Sequence, residues 1–138
     1  MSEYRSSKAA TRRILVVDDE EMILDISRSI LQKEGYHVDT ASNGEKARTL
    51  IEDNSYDLVI ADLWMPGTLS GMDLFRWALE SKPEMRDRIM FMTGDVDADE
   101  VRTFLEETRR PCLAKPFGVP EYLRVIEGAL EELPQDPA

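Results

Sequence analysis

Five short runs of mostly apolar residues, each separated from the next by a segment of helical periodicity, most constrain what this chain can fold into. The runs cover residues 14–18, 37–41, 58–62, 89–93 and 112–115. Such runs are typical of buried strands, and spacings of roughly 20 to 25 residues leave room for one helix between strands. Because crossovers between parallel strands are right-handed, the pattern predicts one doubly wound α/β domain with helices on both faces of a parallel sheet.

The intervening segments carry helix signals. An apolar stripe predicts the first helix and comprises Ile23, Leu24, Ile26, Ile30 and Leu31. Gly35 is well placed to end that helix, and Asn43 to cap the second. Further stripes predict helices around residues 74–79, 101–105 and 122–130.

Composition restricts the classes of function. The 138 residues are 42% apolar and 33% charged, as expected for one globular domain. No apolar run reaches the roughly 20 residues that cross a bilayer, so we expect a cytoplasmic protein without a membrane partner. The single Cys112 suits a reducing compartment. The net charge of −11 argues against direct binding to nucleic acid.

Both ends of the sequence are predicted to be tails. Residues 1–12 are interpreted as a flexible basic N-terminal tail, with Arg5, Lys8 and Arg12 interleaved with small residues. Residues 13–132 form the predicted domain. Residues 133–138, which contain two prolines, are interpreted as a C-terminal tail or the start of a linker.

Polar side chains stand at the ends of four predicted strands. Asp18 and Asp19 end the first, Asp62 the third, Thr93 the fourth and Lys115 the fifth. Taken singly, each has an ordinary explanation, such as a helix cap for the first two acids or a turn at Thr93. In an open α/β sheet, however, the carboxyl ends of the strands form the binding edge, so the whole set is expected to converge.

This set of side chains suits phosphoryl transfer. Carboxylate oxygens are the ligands that Mg²⁺ prefers, and Asp19 and Asp62 could hold it. An aspartate can also act as the nucleophile and form an aspartyl phosphate. A hydroxyl and an ammonium group would then stabilise the phosphoryl oxygens. The sequence therefore indicates a magnesium site beside a phosphorylated Asp62.

The motifs VVDDE, DLWMP, MTG and KPF, in this order and at these intervals, resemble those of two-component response regulator receiver domains. The resemblance covers roughly residues 13–132. It implies a flavodoxin-like, five-stranded parallel sheet of order 2-1-3-4-5, as in chemotaxis regulators. The resemblance is compatible with a stand-alone regulator and with the receiver of a hybrid sensor kinase.

The resemblance also implies the chemistry. Asp62 would accept a phosphoryl group from a histidine kinase or phosphotransfer protein, and Thr93 and Lys115 would contact that group. The implied metal is Mg²⁺, and its implied ligands are Asp18, Asp19, Asp62 and the backbone carbonyl of Trp64. The Lys115–Pro116 bond would be cis, signalling would use the surface of the fourth helix, fifth strand and fifth helix, and the domain would not otherwise be an enzyme.

The chain departs from this family pattern at Cys112 and in one loop, and Trp64 beside Asp62 has two interpretations. Cys112 stands where the family usually has an aromatic residue that rotates when the threonine moves, so the usual aromatic coupling is not expected here. The loop of residues 66–71 is one residue longer than usual. Trp64, two residues after Asp62, flanks the expected path of attacking water and is interpreted either as a shield for the phosphoryl group or as a plain loop aromatic.

Other classes of protein fit less well. An aspartate-nucleophile phosphatase needs a second acid two residues after the nucleophile, where this chain has Trp64. A flavin-binding domain needs a phosphate-binding loop after the first strand, where this chain has acids. A phosphorylation-independent interaction scaffold remains an alternative. The sequence leaves open whether a kinase or output domain is linked to this one.

Overall fold

Five parallel strands form the centre of the protein in a computed structural model, which describes residues 12–67, 69–95 and 97–133. The strands are β1 (Arg13–Val17), β2 (His37–Ala41), β3 (Leu58–Asp62), β4 (Ile89–Thr93) and β5 (Cys112–Ala114). Their order in the sheet is β2-β1-β3-β4-β5. This confirms the predicted doubly wound parallel sheet.

The strand ends differ from the prediction by one residue at β1 and β5. Asp18 and Lys115 lie just beyond their strands rather than in them. Each nevertheless extends the ladder through its amide, because Asp18 donates to the Ala41 carbonyl at 3.1 Å and Lys115 to the Thr93 carbonyl at 2.8 Å. Hydrogen bonds to neighbouring strands therefore fix the backbone of both residues, although both lie just beyond the ends of their strands.

The helices lie on both faces of the sheet. They are α1 (Glu21–Lys33), α2 (Gly44–Asp53), α3 (Gly71–Ser81), α4 (Asp99–Thr108) and α5 (Val119–Glu131). A 3₁₀ segment, Pro83–Arg88, which the sequence did not predict, leads into β4. None of the helices in the described ranges has the length and apolar character required for a membrane span.

Two helix starts are capped by side chains. The Asn43 carboxamide accepts a hydrogen bond from the Lys46 amide at 2.8 Å, which confirms the predicted cap of α2. Ser70 and Asp73 form a reciprocal capping box at the start of α3. This box fixes the helix that follows the loop after β3.

The buried face of α1 differs from the predicted stripe. Leu24, Ser27 and Leu31 are buried, whereas Ile26 is 42% exposed. The spacing of 24, 27 and 31 is itself helical. The buried face therefore keeps Leu24 and Leu31 of the predicted stripe, but it includes Ser27 in place of Ile26.

Alternate residues of the strands contribute to two separate cores. On one face, Leu15 and Phe91 pack with buried side chains of α2, α3 and α4. On the other, Ile14 and Met90 pack with α1 and α5. This second core also includes Leu133, which directly follows the folded range predicted from the sequence. The predicted tails otherwise lie outside the described residues, apart from Arg12.

Ion pairs and hydrogen bonds join the amino ends of the strands, at the edge opposite the predicted site. Asp57 accepts a hydrogen bond from the Arg13 amide at 2.8 Å and lies 3.6 Å from the Arg88 guanidinium. Asp39 accepts from the Tyr56 hydroxyl at 2.6 Å and from the Arg13 side chain at 3.2 Å. We call this set the amino-edge network.

Candidate functional site

Three side chains from three strand ends meet at the carboxyl edge of the sheet. The Lys115 ammonium nitrogen lies 2.7 Å from Asp18 Oδ2 and 2.8 Å from Asp62 Oδ2. β1 and β3 are neighbours, which places the two acids side by side, and Lys115 reaches them from beyond β5. The Lys115–Pro116 bond is cis, as the resemblance implied.

The site is largely removed from water. Asp18 is fully buried and Asp62 is 6% exposed. Burial raises the pKa of Asp18, and hydrogen bonds from Lys115 and the Glu20 amide act in the opposite direction. Burial alone would lower the pKa of Lys115, but its hydrogen bonds to Asp18, Asp62 and Glu20 outweigh it and raise that pKa above the ordinary value. Lys115 therefore remains charged among the acids.

Four acids surround a volume where a cation could bind. One carboxylate oxygen from each of Asp18, Asp19, Glu20 and Asp62 lies within 4.8 Å of the other three. All four ligand atoms are oxygens, and a hard divalent cation such as Mg²⁺ prefers this type of ligand. The donor set therefore fits the metal that the sequence predicted, with Glu20 as an additional member.

The backbone after β3 orients Asp62. The Trp64 amide donates a hydrogen bond to Asp62 Oδ1 at 3.0 Å, while Oδ2 faces Lys115. Both carboxylate oxygens therefore have a defined donor. The role of the Trp64 carbonyl as a metal ligand stays a prediction.

Thr93 is fully buried at the end of β4, on the same edge. Its hydroxyl oxygen accepts a hydrogen bond from the Asp95 amide at 3.1 Å, which is a local turn interaction. The structure therefore places Thr93 in the neighbourhood that the sequence predicted, with its hydroxyl bound within its own loop.

Cys112 lies opposite Phe91 in the β4–β5 register and is half-buried. Burial raises the pKa of its thiol to about 11, with a further contribution from the Asp62 charge. Aromatic volume on this face is supplied by Phe75, Phe91 and Phe104, whose ring centroids lie 5.2 to 5.8 Å apart in edge-to-face contacts. The aromatic residues thus lie on α3, β4 and α4 rather than on β5.

The sheet order and the position of the site define a flavodoxin-like, doubly wound domain of the kind found in chemotaxis regulators. Residues 14–127 match the family model of the response regulator receiver domain. The chain therefore belongs to the receiver domain family of two-component response regulators.

Individual relatives agree with this assignment. The transcriptional regulatory protein ResD of Bacillus subtilis is 34% identical over 123 residues, which cover 89% of this chain and 50% of ResD. A receiver domain structure from Methanospirillum hungatei is 29% identical with a TM-score of 0.79, covering 88% of this chain and 95% of that one. The beryllofluoride-activated NtrC4 receiver dimer is 32% identical with a TM-score of 0.76, covering 88% and 98%. The chain spans about half the length of the curated relatives it matches.

Sequence reasoning did not identify the contact that Glu20 makes in this site. The Glu20 carboxylate lies 3.0 Å from the Lys115 ammonium nitrogen. Its position directly after Asp18 and Asp19 was a signal, but acids are common at the amino end of a helix for electrostatic reasons, so the signal had a simpler explanation.

Proposed function

We propose that this domain is a phosphoacceptor whose Asp62 receives a phosphoryl group from the phosphohistidine of a histidine kinase or phosphotransfer protein. An Asp62 oxygen attacks phosphorus, the P–N bond to the donor imidazole breaks, and the imidazole retains the electron pair. The observation that carries the proposal is the contact of Lys115 with both Asp62 and the buried Asp18 at the carboxyl edge of the sheet.

The contacts of the site support this role. Donors on both sides of the Asp62 carboxylate, the Trp64 amide and the Lys115 ammonium group, hold it in one orientation and favour in-line attack. Lys115 then stabilises negative charge on the transferred phosphoryl group, and the Thr93 hydroxyl donates to another of its oxygens after leaving its turn. Mg²⁺, held by Asp18, Asp19, Asp62 and the Trp64 carbonyl, would neutralise charge on the phosphoryl oxygens.

The mass of the intact protein after incubation with acetyl phosphate tests this proposal. Wild-type protein should gain one phosphoryl group in the presence of Mg²⁺ and none without it. Asp62→Ala should gain none, and Asp53→Ala, which removes an exposed acid of α2, should behave as wild type. A wild-type protein that neither gains mass nor binds beryllofluoride would contradict the proposal and favour a phosphorylation-independent scaffold.

The proposed output uses the surface of α4, β5 and α5. The aromatic cluster of Phe75, Phe91 and Phe104 connects β4 to α4 on the sheet face that Cys112 also borders. A change at Thr93, two residues after Phe91 on the same strand, would therefore be transmitted to α4 through this cluster. We propose no further catalysis by the domain beyond accepting and losing phosphate.

Trp64→Asn should accelerate loss of the phosphoryl group from Asp62. The Trp64 side chain is 42% exposed and follows Asp62 by two residues, so we expect its indole to limit the approach of water. Removing it should shorten the phosphoryl lifetime by about threefold to tenfold. The measurement is the decay of the phosphorylated mass after the donor is removed, with Trp77→Phe on α3 as the control. An unchanged lifetime would show that Trp64 is only a loop aromatic.

A further inference from the structure

Three carboxylates surround the Lys115 ammonium nitrogen. Asp62 and Glu20 accept hydrogen bonds from it at 2.8 Å and 3.0 Å, and Asp18 Oδ2 forms an ion pair with it at 2.7 Å. A lysine ammonium group donates no more than three hydrogen bonds. A phosphoryl oxygen that binds Lys115 therefore competes with these carboxylates for its hydrogens.

Glu20 differs from the other two carboxylates in its exposure to solvent. The Asp18 side chain is fully buried and that of Asp62 is 9% exposed, whereas that of Glu20 is 62% exposed. Glu20 can exchange its contact with Lys115 for water at little cost, because exposed ion pairs are weak. Asp18 would have to leave a buried ion pair, and Asp62 is itself the nucleophile in the proposed reaction.

Hydrogen bonds hold the Glu20 backbone at the start of α1, but its side chain makes no hydrogen bond that caps the helix. Its amide donates to Asp18 Oδ1 at 2.9 Å, and its carbonyl accepts from the amides of Ile23 and Leu24 at the start of α1. Glu20 occupies the N-cap position of α1, yet its side chain caps no helix amide. It reaches instead to Lys115, which is 95 positions away in the sequence.

We propose that Glu20 is a positioning residue that occupies, in the unphosphorylated state, the place on Lys115 that a phosphoryl oxygen takes after transfer. This inference rests on the proposed function of Asp62. Glu20 keeps the ammonium group oriented toward the site before phosphate arrives, and it competes with phosphate for the same hydrogen. On phosphorylation its carboxylate is released to the surface at the start of α1.

Two measurements test the role of Glu20. The first is the ¹H–¹⁵N signal of the Lys115 ammonium group in metal-free protein, which should shift and exchange faster with water in Glu20→Ala. The second is the dissociation constant for beryllofluoride at Mg²⁺ concentrations that saturate each variant, which should fall about threefold in Glu20→Ala. Glu21→Ala removes the neighbouring exposed charge of α1 and should leave both quantities unchanged.

The Glu20→Asp variant distinguishes the effect of the contact with Lys115 from the effect of a negative charge at position 20. It keeps the negative charge but is one methylene shorter, so it should lose the Lys115 contact and resemble Glu20→Ala in both measurements. If Glu20→Asp resembles wild type while Glu20→Ala binds tighter, charge alone acts and the positioning role is overturned. Weaker beryllofluoride binding by Glu20→Ala at saturating Mg²⁺ would overturn it as well, because removal of a competitor for Lys115 should strengthen binding.

The two measurements also distinguish this inference from the proposed function. A wild-type protein that fails to bind beryllofluoride would refute the phosphoacceptor role of Asp62, and with it the competition, whatever the Lys115 signal shows. Normal binding by wild type with equal affinities in Glu20→Ala and Glu21→Ala would refute the role of Glu20 alone.

Discussion

Lys115→Met should lower the free energy of unfolding of the metal-free protein by about 3 to 5 kcal/mol at pH 7. Lys115 is the cation between Asp18, which is fully buried, and Asp62, which is nearly so. Methionine fills a similar volume but leaves two negative charges close together without a counter-ion. The measurement is urea unfolding followed by circular dichroism. Mg²⁺ should restore part of the loss, because it would neutralise the same carboxylates.

Two variants control this experiment. Lys46→Met removes an exposed lysine of α2 and should change stability by less than about 0.5 kcal/mol. Adding Asp18→Asn to Lys115→Met removes one of the unpaired charges and should recover part of the loss. A loss below about 1 kcal/mol in Lys115→Met, equal to that in Lys46→Met, would show that solvent rather than Lys115 compensates the acids.

Gly71→Ala should destabilise the protein by about 1 to 3 kcal/mol and displace α3 from the site. A Cβ atom at position 71 would lie 2.5 Å from the Asp62 carbonyl oxygen and 3.2 Å from the Leu63 Cα. These are backbone atoms at the end of β3, so a side-chain rotation cannot relieve the overlap. The helix must move, and with it the loop that orients Asp62. Urea unfolding measures the first effect, and beryllofluoride affinity the second.

Gly128→Ala is the matched control for this substitution. Gly128 lies within α5, and its Cβ would meet no heavy atom of the described residues within 4 Å other than its chain neighbours and the backbone of its own helix. Because alanine has the higher helix propensity, this substitution should stabilise the protein by about 0.5 to 1 kcal/mol. A Gly71→Ala protein as stable as Gly128→Ala would mean that α3 adjusts without disturbing β3.

The sequence predicted the sheet well because buried parallel strands carry a simple signal. All five strands were predicted with ends within one residue of those observed, and their polar ends located the edge where Asp18, Asp62 and Lys115 meet. The Asn43 cap was equally local, since it depends on residues 43 to 46. Features that depend on one short segment were therefore predictable.

Two features that depend on distant partners were not predicted. The contact of Glu20 with Lys115 requires the relative placement of α1 and the end of β5, which no local pattern contains. The burial of Ser27 rather than Ile26 in α1 likewise depends on how the helix packs against the sheet. The capping box of Ser70 and Asp73 is different, because the spacing was present in the sequence and was overlooked.

The amino-edge network and the candidate site differ in how their charges are arranged. At the amino edge, Asp39 and Asp57 each contact an arginine, so opposite charges are matched. At the carboxyl edge, Asp18, Asp62 and Glu20 share one lysine, so like charges are crowded. Within the described residues, the ion pairs at the amino ends of the strands are thus separated from the crowded acids of the site. Substitutions that disturb the charge balance of the site should therefore leave the pairing of the strands at the amino edge intact.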